Sequence, residues 1–209
     1  MEEKRETGIF LCVLGVGNGN YKDDMMQSLA QNGNGVAAYI DTLAEANKVL
    51  ANEAGSALTT IAKDVKIQVE FNPDTIAEYR LIGYETRALK RQDFNNDKVD
   101  AGEIGAGHQV TAMYELRLAE GVSLDDRAEL GVVALRWEDP DSGDVEEIDE
   151  DIDLRDIEPR WSDTPDDFQL ATVVITFAEK MRDNPYADNV DIDDLAEEAK
   201  RVADAIDTD

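Results

Sequence analysis

The sequence predicts an α/β segment followed by an α+β region: a βαβα run, then antiparallel β-sandwich-like structure, then two terminal helices. Three observations carry that expectation. Apolar residues form one unbroken run at 9–16, as in a strand buried on both faces of a parallel sheet. From about residue 64 they alternate with polar residues, the period of a strand with one wet face. After Thr164 they return at helical spacing. The implied boundaries are 1–62, 63–160 and 161–209.

The run Ile9 to Val16 is the first strand, and Cys12 inside it is expected to be a buried small hydrophobe. Gly17-Asn18-Gly19-Asn20 turns the chain into a helix at 22–31 with Met25, Met26 and Leu29 on one face, closed by Gly33 and Gly35. Val36 to Ile40 is a second short strand, ended by Asp41. Thr42-Leu43-Ala44-Glu45 has the form of a capping box. The helix it starts is expected to carry Leu43, Ala46, Val49, Leu50, Leu58 and Ile61, with a break near Gly55.

Val65, Ile67, Val69 and Phe71 then alternate with Lys66, Gln68, Glu70 and Asn72. Asn72-Pro73-Asp74 is a turn, and Tyr79 to Arg87 reads as the next strand. A polar loop follows at 90–107, then strands at Val110 to Leu118 and Leu130 to Glu138 and a turn at 139–144. The acidic run Glu146 to Asp156 reads as a solvated linker. Thr164-Pro165-Asp166-Asp167 supplies an N-cap, a proline at the first turn and acids against the helix dipole. Leu170, Val173, Val174, Phe177 and Met181 give that helix its apolar stripe, and Asn184-Pro185 stops it. Asp191 caps a last helix with Ile192, Leu195, Ala199, Val202 and Ile206 inward.

The chain of 209 residues has a net charge of −28, distributed unevenly. Residues 1–118 hold 18 acids and 12 bases, whereas 119–209 hold 30 acids and 8 bases. Such a field repels nucleic acid and anionic membrane surfaces. It suits a salt-rich environment, where ions screen the repulsion, or a cation or basic partner. With one cysteine the chain cannot form an internal disulfide or a cysteine-based zinc cluster, and with one histidine, His108, it has no His-rich metal site. No stretch approaches the roughly 20 apolar residues that span a bilayer.

Two motifs invite chemistry. Gly15-Val16-Gly17-Asn18-Gly19 follows a strand and opens toward a helix, and Asp41 ends the next strand, as in a dinucleotide-binding turn. That fingerprint needs a glycine three residues after Gly17, where Asn20 stands, so a plain strand-to-helix turn is the better reading. Asp93, Asn95 and Asp97 imitate the first positions of a calcium loop, but Lys98 stands where glycine makes the sharp turn and Ile104 where a bidentate glutamate belongs. A surface loop rich in Asx residues is expected instead. His108, after the glycine-rich Gly105-Ala106-Gly107, reads as structural, and no Ser/His/Asp or Cys/His arrangement is supported. No catalytic, cofactor-binding or metal-ligating residue is assigned.

Several long strings look like a known family. Gly8-Ile9-Phe10-Leu11 through Gly15-Val16-Gly17-Asn18-Gly19-Asn20-Tyr21, Gly33-Asn34-Gly35 with Tyr39-Ile40-Asp41, and Leu43-Ala44-Glu45-Ala46 resemble the end of bacterial von Willebrand factor type A (VWA) domains. Ile61 to Pro73, Tyr79 to Glu85, Asp93 to Asp97 and Ala101 to His108 resemble the β-rich domain that follows in that subfamily. Phe168-Gln169-Leu170-Ala171 and Asn184-Pro185-Tyr186-Ala187 resemble its helical end. The resemblance implies the C-terminal βαβα of a Rossmann-like VWA domain and a non-enzymatic role in adhesion or protein–protein contact with an unnamed protein partner.

The family's metal-ion-dependent adhesion site uses Asp-x-Ser-x-Ser with a later Thr and Asp to hold Mg²⁺ or Ca²⁺. All of these precede the strand at 9–16, so metal is expected only in a full-length VWA domain. Met1 to Glu6 reads as the charged end of a helix begun earlier, and the chain is accordingly expected to be a soluble C-terminal fragment. The resemblance also implies an extracytoplasmic or membrane-anchored full-length protein. The competing readings are a nucleotide-binding enzyme using the Gly15–Gly19 turn and Asp41, and a cation-loading acidic protein.

Overall fold

A computed structural model describes residues 11–17, 19, 22–33, 35–53, 59–84, 88–124 and 127–206. The charged start at 1–6, the beginning of the first strand, Asn18, Asn20, Gly55 and Leu58 lie outside them. The elements in chain order are β1 (Val13–Val16), α1 (Asp23–Asn32), β2 (Ala37–Ile40), α2 (Leu43–Asn47), β3 (Thr60–Phe71), β4 (Ile76–Ile82), β5 (Gly102–Gly105), β6 (Met113–Leu118), β7 (Glu129–Glu138), β8 (Val145–Asp153), α3 (Asp166–Met181) and α4 (Ile192–Ile206). The fold is mixed α/β, with antiparallel sheets and helices at the C-terminal end.

β1 and β2 pair in parallel, Val13 opposite Ala37 and Val16 opposite Ile40, with α1 as the connection. Parallel neighbours need such a crossover because a tight hairpin cannot join them. Gly35 is required where the two segments begin, since a Cβ there would stand 1.9 Å from the Leu11 carbonyl oxygen. The Glu45 N–H donates to the Thr42 hydroxyl at 3.2 Å, the cap that starts α2. Burial differs from expectation here. Cys12, Leu14 and Val16 are exposed, because a pair of four-residue strands has few neighbours to cover both faces.

The helix expected to run to Ile61 is shorter. α2 ends at Asn47, Lys48–Glu53 continue with wider π-type turns, and Ile61 stands in β3. The β-branched run Thr59-Thr60-Ile61 favours extended backbone, which is pinned by the Ala106 N–H to the Thr59 carbonyl at 2.9 Å. β3 pairs antiparallel with both β5 and β7, and its register slips between Ala62 and Val65. Asp64, at φ 50°, sits in that slip. The clean alternation therefore starts only after it.

The alternation itself is partly reversed. Lys66, expected on the wet face, is 3% exposed, whereas Ile67 is 50% exposed. Loop residues 91–100 supply the Lys66 partner, the Asn96 carbonyl at 2.6 Å.

The strand order of the larger sheet is β5-β3-β7-β8, and β4 and β6 form a separate antiparallel ribbon. β5 lies within the region expected to be loop. β8 replaces the expected acidic linker. It is an edge strand, solvated on both faces, so it shows charge where a half-buried strand shows alternation.

α3 and α4 form where the helical spacing places them, but burial departs from expectation. Of the expected stripe on α3 only Val173 is buried, while Leu170, Val174, Phe177 and Met181 are exposed, because polar Gln169 and Glu179 take inward positions. On α4 Val202 is buried while Ile192 and Ile206 are exposed. Asp191 accepts from the Asp193 N–H at 2.8 Å and caps α4. Thr164 does not cap α3: its hydroxyl donates to the Trp161 carbonyl at 2.7 Å, because Trp161–Asp163 form a 3₁₀ turn that draws it back. Described residues of Met1–Phe71, Tyr84–Ala112 and Gly131–Asp151 make one compact unit. Asn72–Gly83, Met113–Leu130 and Ile152–Asp209 make another, again as far as described.

Candidate functional site

The turn singled out in the sequence lies at the carboxyl end of β1. Gly17 takes φ +98°, open to glycine but strained for other residues, and the Tyr39 hydroxyl donates to its carbonyl at 2.5 Å. Asp41 follows β2 and is exposed. The first turn of α1 carries Asp23 and Asp24, which place negative charge where a phosphate would approach a helix N-terminus.

In the larger sheet, an open cleft of about 790 Å³ is bounded by β3, β7, β8 and the loop 90–95, with Gln68, Glu70, Arg91 and Glu147 among its walls. Arg91 pairs with Glu70 at 2.7 Å across it. The adjoining Asx-rich loop is anchored and not loose. Phe94 is buried, the Asn96 side chain accepts the Lys98 N–H at 3.1 Å, and Asp97 pairs with Arg136 at 2.8 Å. The Arg136 guanidinium holds the Asp97 carboxyl below its usual range. Arg136 also reaches Glu147 on β8 at 3.0 Å, and the Asp64 carboxylate accepts the Ala101 N–H at 2.9 Å.

In the other unit, Arg80 of β4 organises a partly buried polar cluster around the buried Glu179. Two of its nitrogens donate to the same Glu115 oxygen at 3.0 and 2.8 Å, and a third donates to Glu179 of α3 at 2.7 Å. The Asn184 side-chain amide donates to the same Glu179 oxygen at 2.6 Å. The guanidinium carbon of Arg80 lies 4.1 Å from the centre of the Tyr186 ring, a cation–π arrangement.

A second network ties α3 to α4. The Trp161 indole donates to Glu198, Arg201 donates to both Glu198 oxygens, and the buried Gln169 accepts from Arg201. Gln169 donates in turn to the Thr164 carbonyl at 2.7 Å. Hydrogen bonds from Arg201 and then Trp161 hold the Glu198 carboxyl down to about 2. A depressed carboxylate stabilises the fold above its unfolded pKa, about 4.3, and that contribution is lost as pH falls toward 2. Solvent screening at this partly exposed site limits it to about 1 kcal/mol. The expected result is a stability decrease between about pH 5 and pH 2 that is about 1 kcal/mol smaller in Glu198→Gln. Urea denaturation of both proteins at the two pH values checks it, and identical decreases would refute the assignment.

Among the described residues, no group of three or more His, Cys, Asp or Glu is placed to hold a metal ion. The sequence motifs do not come together: the Gly15–Gly19 turn and Asp41 lie in the parallel pair, and the exposed His108 follows β5. Lys66, Arg80, Arg136, Glu179 and Glu198 were missed in the sequence. The available signal was the scarcity of bases among surplus acids, which makes an arginine flanked by apolar strand residues a candidate ion-pair centre.

Fold and polar clusters define an acidic mixed α/β protein with antiparallel sheets, terminal helices and ion-paired arginines. The chain belongs to the family described as "Uncharacterized protein YfbK, C-terminal", which matches residues 56–209. It is 39% identical over 204 residues to the "Uncharacterized protein YfbK" of Escherichia coli (strain K12), covering 90% of this chain. It spans 35% of the length of that curated relative. No solved structure gives a significant match.

Proposed function

We propose that this chain is a non-enzymatic protein–protein interaction or adhesion module, the C-terminal part of a VWA-type protein. The observation that carries the reading is the parallel β1-α1-β2 arrangement followed by α2, formed by the strings that resemble the end of a VWA domain. The polar clusters agree with it. Their arginines and carboxylates are engaged with one another across elements, as structural ties are.

In this reading the metal-ion-dependent adhesion site belongs to an earlier part of the longer protein. Asp-x-Ser-x-Ser does not occur in the chain, and the Tyr39 hydroxyl, Gly17 carbonyl and Asp41 do not replace that donor set. No residue of this chain is assigned to Mg²⁺ or Ca²⁺. The partner is a protein. The charge of −28 suits a salt-rich setting, and an extracytoplasmic or membrane-anchored location belongs to the full-length protein. No described helix is long and apolar enough to cross a membrane.

The alternative is nucleotide binding at the Gly15–Gly19 turn with Asp41. Asp23 and Asp24 weigh against it, because they oppose a phosphate at the start of α1. Calorimetric titration with NAD and with ATP decides between the two. No saturable heat is expected, and binding in the micromolar range would sink the interaction reading in favour of the enzyme.

A further inference from the structure

β8 leaves one edge of the larger sheet open. The order β5-β3-β7-β8 pairs it with β7 on one side, and among the described residues no strand pairs with its other side. Alternate N–H and C=O groups of a strand point to each side, so the outer row stands free as a template for one more strand. Folded proteins guard such edges by keeping them short, by proline or by charge. β8 is nine residues long and holds neither proline nor glycine, so of these guards only charge is present.

We propose that the β8 edge at Val145–Asp151 binds an extended segment of a partner protein, rich in lysine or arginine, that joins the sheet as a further strand. The proposal rests on the interaction reading above and names its surface and the chemistry of its partner. Main-chain hydrogen bonds along the edge would supply affinity, and the side chains of β8 would select the sequence.

That selection follows from charge. Glu146, Glu147, Asp149, Glu150 and Asp151 are all exposed, and no base lies among residues 145–151. Arg136 reaches Glu147 from β7, but among the described residues no ion pair engages Glu146, Asp149, Glu150 or Asp151. The Arg136 pair sets Glu147 on the sheet face shared with Lys66, and the period of two adds Asp149 and Asp151 to it. Glu146, Ile148 and Glu150 take the opposite face. Residues directly opposite on paired strands lie about 4.5–5.5 Å apart, so bases at alternate positions of the segment meet Glu147, Asp149 and Asp151. Ile148, 55% exposed, offers an apolar contact on the other face. A second copy of β8 does not fit, because like charges would stand opposite one another along the edge.

Calorimetric titration of the full chain with a synthetic peptide that alternates lysine with threonine tests this, with amide hydrogen exchange read in parallel. Saturable one-to-one binding is expected at about 0.15 M salt. It weakens at about 1 M, where the screening length falls from about 8 to about 3 Å. Exchange at Val145–Asp151 slows, because the outward N–H groups gain acceptors. Two further peptides carry N-methyl groups on one or the other set of alternate amides. Both keep every charge, and the set that faces the edge abolishes binding. Asp149→Lys combined with Asp151→Lys, at exposed positions, leaves the far-ultraviolet dichroism unchanged and weakens binding about tenfold, as two surface pairs become repulsive. Binding that both methylated peptides retain, or that leaves exchange at β8 unchanged, would be charge attraction alone and would overturn the proposal. A double reversal without effect would overturn it too. So would the absence of saturable binding, which strikes this edge only, since the nucleotide titrations test the interaction reading separately.

Discussion

Arg80→Ala lowers the stability of the unit that contains β4, β6, α3 and α4 by about 1.5–3 kcal/mol, the range for lost hydrogen bonds to a charged group. The cost stays in that range because Glu179 is buried while Arg80 itself is partly exposed. The Glu179 side chain is only 7% exposed. Without Arg80 its carboxylate keeps the Asn184 amide and the longer contact with Arg182 at 4.0 Å but has lost its nearer cation at 2.7 Å. Glu115 loses two donated hydrogen bonds, and the Tyr186 ring loses its cation. Arg80→Lys keeps the charge but not the fork that serves both carboxylates, so it recovers about half of the loss. Arg80→Leu with Glu179→Leu recovers more, because no buried charge remains unpaired. Urea denaturation followed by Trp161 fluorescence, in a Trp137→Phe background, reads this unit. A loss below about 1 kcal/mol for Arg80→Ala would mean that Glu179 finds water or another donor.

How much of this was legible in the sequence depended on the range of the interaction. The two terminal helices were, in position though not in which apolar residues are covered, because their spacing and the Asp191 cap are local whereas the packing partner is not. Gly17, at φ +98°, was legible as a turn position for the same reason. The Arg80–Glu179 pair joins residues 99 positions apart, and nothing local distinguishes either from a surface charge. Lys66 misled more directly. Period-2 alternation assigns it to the solvated face, but the loop carrying Asn96 covers that face. The shift at Asp64 hid the first residues of β3 because it interrupts the alternation by which strands are recognised. Composition also misled at β8, where an edge strand and a solvated acidic linker have the same residues.

That acidic run contains the second strongly destabilising position. Leu154 follows β8 directly and is 0% exposed, among the largest completely buried side chains described. The Asp153–Asp156 capping box fixes the 3₁₀ turn that holds it, and its N–H donates to the Ala128 carbonyl at 3.0 Å. The turn thus places one apolar side chain inward from an otherwise charged stretch. Leu154→Ala should cost about 2–5 kcal/mol, the lost transfer energy plus that of the cavity left behind. Leu154→Met, which nearly conserves volume, should cost less than about 1.5 kcal/mol. The same Trp161-monitored denaturation measures both. Similar small losses would return residues 146–156 to the role of a solvated linker, whereas a large loss confined to alanine makes the acids of β8 the approach to an apolar anchor.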